Sequence, residues 1–142
     1  MTINLINTIT HVLQINENII FAYLFGSVPK GNARYGSDLD IAVYFKIEPT
    51  LNDIGKLTLQ LEESSDYKID LVQLNRLDVI NPVLAYTIIS EGKIVFSKDL
   101  DLLTEFKKSA ILRYLDFKTT NDSMNKSLSY RLSTNSYAVF EK

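Results

Sequence analysis

Two apolar segments that flank a polar loop constrain the fold of this chain more than any other feature. The first segment, residues 19–25, is an unbroken apolar run, and its length and β-branched and aromatic content predict a buried strand. Gly26 and Ser27 end this run, and a loop of ten residues (28–37) follows. The second segment, residues 38–45, begins with Asp-Leu-Asp and continues as a further apolar run. A strand–loop–strand unit is therefore expected.

Acidic residues occupy defined positions in two of the predicted strands. Asp38 and Asp40 would place their carboxylates on one strand face, and Leu39 would lie on the other. Neighbouring carboxylates repel each other, and a hard divalent cation with oxygen ligands is the usual reason to tolerate them. A third acid, Asp70, stands alone in the apolar run of residues 69–74. It can reach the same cations if its strand pairs beside the one with Asp38 and Asp40.

The Gly-Ser turn between the strand and the loop is typical of an anion-binding site. The hydroxyl and the backbone N–H groups of Ser27 could face a phosphate, and Lys30 and Arg34 make the following loop cationic. Gly26, Ser27, Lys30 and Arg34 are therefore the candidate nucleotide-binding residues. Three acids beside such a turn predict a two-metal site for attack on the α-phosphorus of a nucleoside triphosphate.

Each of these features also has a structural interpretation. Gly26-Ser27 taken alone is more typical of an ordinary strand-to-turn connection. Asp38 could be a surface residue, Asp40 a charge that discourages edge-strand aggregation, and Asp70 an exposed strand end. All of them together at this spacing favour the catalytic interpretation.

The joint pattern resembles the minimal nucleotidyltransferase family, the small relatives of the polymerase β fold. Gly26, Ser27, Asp38, Asp40 and Asp70 match the family's Gly-Ser, spacer, Asp-x-Asp and later lone Asp. The resemblance implies a polymerase-β-like core in which the three aspartates are catalytic and hold two Mg²⁺ ions, with ATP as the substrate.

The spacer departs from the family pattern at one point. Family members often carry an arginine early in the spacer, where this chain has Pro29-Lys30. A lysine can meet a phosphate as a point charge but lacks the bidentate geometry of arginine. This departure concerns how tightly the triphosphate is held and leaves the class of reaction unchanged.

The sequence offers little beyond the predicted catalytic core, and this bears on the identity of the acceptor. Larger relatives carry extra domains that bind a primer, a tRNA or an antibiotic, and stand-alone members of this size accompany a HEPN ribonuclease. The resemblance thus implies an antitoxin that transfers AMP from ATP to a tyrosine hydroxyl of a HEPN-type toxin. Two alternatives stay open: an antitoxin that acts by binding and occlusion alone, and a free-standing nucleotidyltransferase that modifies a small molecule or an RNA end.

The composition limits the classes of partner and the cellular compartment that we expect for this chain. The chain has 142 residues, 46% of them hydrophobic, which suits one domain with a core. Its net charge of −2 argues against a large nucleic-acid-binding face. It has no cysteine, which excludes disulfides and thiolate metal sites. No apolar stretch could span a bilayer and no signal-peptide pattern opens the sequence, so we expect a cytoplasmic protein without a membrane partner.

The remaining periodicity predicts an α/β (α+β) fold, a small mixed sheet flanked by helices, with a C-terminal helix. A helix that ends at Gly92 could be capped by Asn75 or Asp78. A nucleotidyltransferase domain over residues 1–118 and a polar tail over 119–142, either mobile or ordered by a partner, are expected. Besides the helix that includes residues 83–88 and stops at Gly92, the predicted helices cover residues 2–15, about 50–64 and 99–118. The predicted strands cover 19–25, 37–45, 69–74 and 93–96.

Overall fold

The structure, a computed structural model, describes residues 3–26 and 38–133, with the side chains of residues 4–26 and 38–120. In chain order its elements are α1 (Ile3–Gln14), β1 (Ile19–Phe25), β2 (Leu39–Phe45), α2 (Leu51–Ser65), β3 (Ile69–Gln73), α3 (Leu77–Ile80), α4 (Pro82–Glu91), β4 (Lys93–Ser97) and α5 (Leu100–Ser133).

The four strands form one mixed sheet in the order β3-β2-β1-β4. β1 is antiparallel to both β2 and β4, whereas β2 and β3 are parallel. Parallel neighbours need a crossover connection, and α2 provides it. The predicted mixed sheet flanked by helices is confirmed.

Helices cover both faces of this sheet. One face packs against α1 and α2, and the other packs against α3, α4 and α5. The strand residues alternate between the two cores, as expected for strands buried on both sides. The first core includes Ile9, Leu13, Leu24, Leu39, Ile41, Val43, Leu57 and Leu61, and the second includes Phe21, Tyr23, Ala42, Leu77, Ala85, Ile88, Leu103, Phe106 and Ala110.

The prediction that Asn75 or Asp78 caps the helix ending at Gly92 is wrong. The segment is two helices, and the side chain of Asn81 caps α4 by accepting a hydrogen bond from the backbone N–H of Leu84 at 3.1 Å. Asn75 instead bonds both backbone groups of Phe45, at 2.9 and 2.8 Å.

Asp78 has a different structural role, which holds α5 against α3. It is buried and accepts hydrogen bonds from Ser109 Oγ at 2.5 Å and from Arg113 Nε at 3.2 Å. A buried carboxylate requires such partners because it would otherwise be left without solvation. Asp78 therefore links α3 to α5 through these two hydrogen bonds.

The last helix is longer than the sequence predicted. We expected it to end near Lys118, but α5 continues to Ser133. The Ser-, Thr- and Asn-rich residues after 118 have modest helix propensity, yet no Gly or Pro interrupts residues 100–133. A tail beginning at residue 119 remains a prediction, and residues 134–142 lie outside the described part of the chain. Within residues 3–26 and 38–133, no helix combines the length and apolarity that a membrane span requires.

Candidate active site

Three strand ends bring Gly26 and the three predicted aspartates together at one end of the sheet. Asp40 is in register with Phe25 at the end of β1 and with Asp70 near the start of β3. Because β2 runs antiparallel to β1 and parallel to β3, the C-terminal end of β1 meets the N-terminal ends of β2 and β3. The condition that the sequence left open for Asp70 is met, because its strand pairs with the strand of Asp40.

The two sides of β2 carry different residues, as the sequence predicted. Leu39 and Ile41 are fully buried against α1 and α2. Asp40 is on the opposite face and is only partly buried. Asp38 directly precedes β2 and is exposed, and Asp70 is exposed as well. The carboxylates therefore lie at an open rim of the sheet that solvent and a ligand can reach.

The electrostatics of Asp40 show that these carboxylates are close to one another. Its pKa is raised from the usual value of 3.8, first by burial, then by the negative charge of Asp70 and a hydrogen bond with it, and then by the charge of Asp38. Ionisation of Asp40 is therefore less favourable in the folded protein than in water. A positively charged ligand at this rim would make it more favourable.

Gly26 leaves the room that the Asp40 carboxylate occupies. It has φ +84°, a left-handed backbone conformation that residues with a side chain rarely adopt. A Cβ atom at this position would overlap Asp40 Oδ2 and lie 3.1 Å from Asp40 Cγ. The sequence predicted that Gly26 admits a phosphate; the structure adds a steric contact between the Gly26 turn and the central aspartate.

The other candidate residues are not all open to structural description. Ser27, Lys30 and Arg34 lie outside the described residues, so their nucleotide-binding role stays a prediction. In the described part of the chain, no group of three His, Cys, Asp or Glu side chains is arranged as a metal-ligand set. A metal-binding role for Asp38, Asp40 and Asp70 therefore also stays a prediction.

Sequence reasoning overlooked one charged residue at this rim. The Leu39 N–H donates a hydrogen bond to the Lys68 carbonyl at 2.8 Å, which brings Lys68 beside the start of β2. The available signal was its position two residues before Asp70, which places both on the same face of an extended strand.

Comparison with known proteins identifies the family. Residues 7–101 match the model of the polymerase β nucleotidyltransferase family. The chain belongs to this family. The predicted nucleotidyltransferase class and the polymerase-β-like core are confirmed. The match spans α1 to the start of α5 and so includes every strand of the sheet.

Solved structures of toxin–antitoxin complexes share this fold. A chain of a toxin–antitoxin complex with AMP-PNP is 25% identical, with a TM-score of 0.73 over 87% of this chain and 98% of that one. A chain of the tri-AMPylated Shewanella oneidensis HEPN toxin in complex with MNT antitoxin is 23% identical, with a TM-score of 0.69 over 88% and 96%. A chain of the MntA–HepT toxin–antitoxin complex is 22% identical, with a TM-score of 0.67 over 88% and 97%. No curated protein matches the chain.

Proposed function

We propose that this nucleotidyltransferase is an antitoxin that transfers AMP from ATP to a tyrosine hydroxyl of a cognate HEPN-type ribonuclease toxin. The observation that carries the proposal is the in-register pairing of Asp40 with Asp70 beside the Gly26 turn and Asp38. Phosphates held by the Gly26 turn would thus lie beside acids that could hold cations, and those cations would neutralise the phosphate charge. The structural similarity to a toxin–antitoxin complex with AMP-PNP supports the choice of ATP.

The acceptor class is supported by a second similarity. One structural neighbour is a complex of MNT antitoxin with a HEPN toxin that carries three AMP groups. The fold is shared over 88% of this chain, and no large acceptor-binding domain follows the sheet in residues 100–133, which form the single helix α5. A protein partner that brings its own acceptor residue fits such a small catalytic domain.

The residues divide into two groups by position. We assign the β- and γ-phosphates to the Gly26 turn and to Ser27, Lys30 and Arg34, of which the last three lie outside the described residues. We assign two Mg²⁺ ions to Asp38, Asp40 and Asp70. The donor set suits that ion because it offers only carboxylate oxygens, and the raised pKa of Asp40 shows the negative charge that a cation would offset. Bound Mg²⁺ would neutralise the developing charge on the phosphates and activate the attacking hydroxyl.

We assign to Asp70 the role of acting on the acceptor hydroxyl. A tyrosine hydroxyl ionises near pH 10, so its proton must be removed at neutral pH. Exposed Asp70 on the edge strand β3 can accept that proton. The tyrosine oxygen then bonds to the α-phosphorus, the bond from the α-phosphorus to the bridging oxygen breaks, and pyrophosphate leaves with the electron pair.

One experiment separates catalysis from binding. The protein is incubated with ATP, Mg²⁺ and the candidate toxin, and intact-mass spectrometry measures the toxin. We expect mass increments of whole AMP groups with the wild type and at least about a hundredfold slower addition with Asp38→Asn. Coexpression should neutralise the toxin only when this chemistry is intact. If Asp38→Asn protects cells fully and no mass is gained, inhibition is by occlusion.

Toxin binding, which both AMP transfer and occlusion require, has a structural observation in its favour, which is an exposed apolar patch on α5. Leu112 and Leu115 are 57% and 50% exposed, and Ile111 beside them is 41% exposed. The inward residues Leu103, Phe106 and Ala110 are core, so within residues 100–120 a partner can reach the outward side of this helix. We assign the Ile111–Leu112–Leu115 patch to toxin binding, which serves either mechanism.

Removal of this patch should weaken binding without unfolding the protein. We expect Leu112→Ser/Leu115→Ser to weaken toxin binding by about tenfold or more in calorimetry. Their exposure predicts little change in melting temperature. Leu51→Ser is the matched control, because Leu51 is 91% exposed at the start of α2, on the other side of the sheet. Equal affinity of the double variant and the control would remove the patch from the interface.

A further inference from the structure

Lys68 lies directly beside the candidate catalytic acids. Its carbonyl accepts the Leu39 N–H at 2.8 Å, so the β2–β3 ladder extends to a residue that precedes β3. Lys68 and Asp70 are two positions apart in extended chain and share a face, with Cα atoms separated by about 6–7 Å. The lysine side chain is exposed and long enough to reach the space in front of Asp70.

The ammonium group of Lys68 is not committed to a structural contact. Within residues 4–26 and 38–120, it has no hydrogen-bond or ion-pair partner. The face that it shares with Asp70 also carries Asp40, which is in register with Asp70. Lys68 is thus a cationic side chain on the face that carries the carboxylates of Asp40 and Asp70.

The order of the strands assigns a side of the site to each substrate. Across the sheet the order is β3-β2-β1-β4, so Gly26 follows an inner strand and Asp70 lies on an edge strand. A triphosphate held by the Gly26 turn occupies the β1 side of Asp40. The acceptor must approach the α-phosphorus from the side opposite the leaving pyrophosphate, which is the β3 side where Lys68 lies.

We propose that Lys68 is a further catalytic residue whose ammonium contacts the acceptor oxygen and stabilises it as a phenolate during attack. The inference rests on the proposed function, because it takes a tyrosine hydroxyl as the acceptor. The hydroxyl proton passes to Asp70, and the phenolate oxygen forms the bond to the α-phosphorus. Pyrophosphate leaves with the electron pair of the broken bond, and Lys68 stays protonated throughout.

The charge balance of the site explains why a cation is needed on this side. When the hydroxyl proton passes to Asp70, that carboxylate becomes neutral and its negative charge moves to the phenolate oxygen, on the face that also carries acidic Asp40. A fixed ammonium offsets this repulsion where the acceptor charge develops, and such contacts act mainly on the transition state. The contribution of Lys68 should therefore be larger in the rate of transfer than in the binding of either substrate.

The test compares variants of this one side chain in the full chain. We expect Lys68→Met to lower kcat for AMP transfer to the toxin by about tenfold to a hundredfold, with the KM for ATP and the KM for the toxin each changed less than about twofold. Lys68→Arg, which keeps the charge, should restore most of the rate. Lys56→Met is the matched control, because Lys56 is an exposed lysine of α2 outside this rim.

The possible outcomes distinguish a failure of the role proposed for Lys68 from a failure of the proposed function. An unchanged kcat for Lys68→Met beside an active wild type overturns the role of Lys68 and leaves the proposed function intact. A raised KM for the toxin at unchanged kcat also overturns it, because Lys68 would then only attract the partner. A raised KM for ATP would place Lys68 on the triphosphate side and overturn the assignment of sides. No transfer by the wild type to any toxin residue would overturn the proposed function itself.

Discussion

Asp40→Asn should lose AMP transfer by at least about 10²–10³-fold while the folded protein becomes more stable. The loss follows because the variant removes the central carboxylate between the Gly26 turn and Asp70. Quantitative mass spectrometry of the toxin measures the first effect. Thermal melting of the metal-free protein, in the presence of a chelator, measures the second.

The gain in stability follows from the sign of the Asp40 pKa shift. Its pKa in the folded protein is raised above the usual value of 3.8, so the ionised form destabilises the folded state at neutral pH. This penalty decreases as the pH falls through the raised pKa and is absent well below 3.8. Asp40→Asn should therefore melt above the wild type at pH 7, and the difference should vanish in acid.

Asp53→Asn is the control with the opposite sign. Asp53 accepts a hydrogen bond from the Thr50 N–H in the capping box of α2, and this bond lowers its pKa. Ionised Asp53 thus stabilises the fold above its usual pKa, and its removal should lower the melting temperature at pH 7. If Asp40→Asn lowered the melting temperature as well, Asp40 would be a structural residue.

The sequence predicted the parts of the fold that depend on local pattern. The apolar run of residues 19–25 located β1 to the residue, because a strand buried by helices on both faces is continuously apolar. The more exposed strand β4 ends one residue later than predicted. The spacing of Gly26, Asp38, Asp40 and Asp70 correctly predicted that these residues converge at one rim, once β2 and β3 pair.

The features that the sequence did not predict depend on contacts between residues that are far apart in the chain. Asn75 and Asp78 look like helix caps in sequence, but each bonds a partner about 30 residues away in the chain, Phe45 for one and Ser109 for the other. Strand order, on which our assignment of a nucleotide side and an acceptor side rests, has no local signal at all. Lys68 becomes a candidate only when this order is known, because the order shows that β3 is an edge strand.

Gly26→Ala should damage both activity and stability through one contact. The new Cβ atom would occupy the place of Asp40 Oδ2, so the carboxylate must rotate away from the rim. Misplacement of a catalytic group by about 1 Å can cost on the order of 10²-fold in rate. The left-handed conformation of Gly26 adds about 1–2 kcal/mol of strain for an alanine, which lowers the melting temperature by a few degrees.

A double-mutant cycle can assign these effects to Asp40. In an Asp40→Ala background the overlapping carboxylate is absent, so Gly26→Ala should cost only the backbone strain and the two substitutions should couple by about 0.5–3 kcal/mol in unfolding free energy. Gly55→Ala is the control, since a Cβ at Gly55 in α2 meets nothing within 4 Å and should stabilise the helix by about 0.5–1 kcal/mol. Strictly additive effects of Gly26→Ala and Asp40→Ala would mean that the turn and the acid are independent. Coupling would show that the glycine of the Gly-Ser turn is needed for the position of the Asp40 carboxylate.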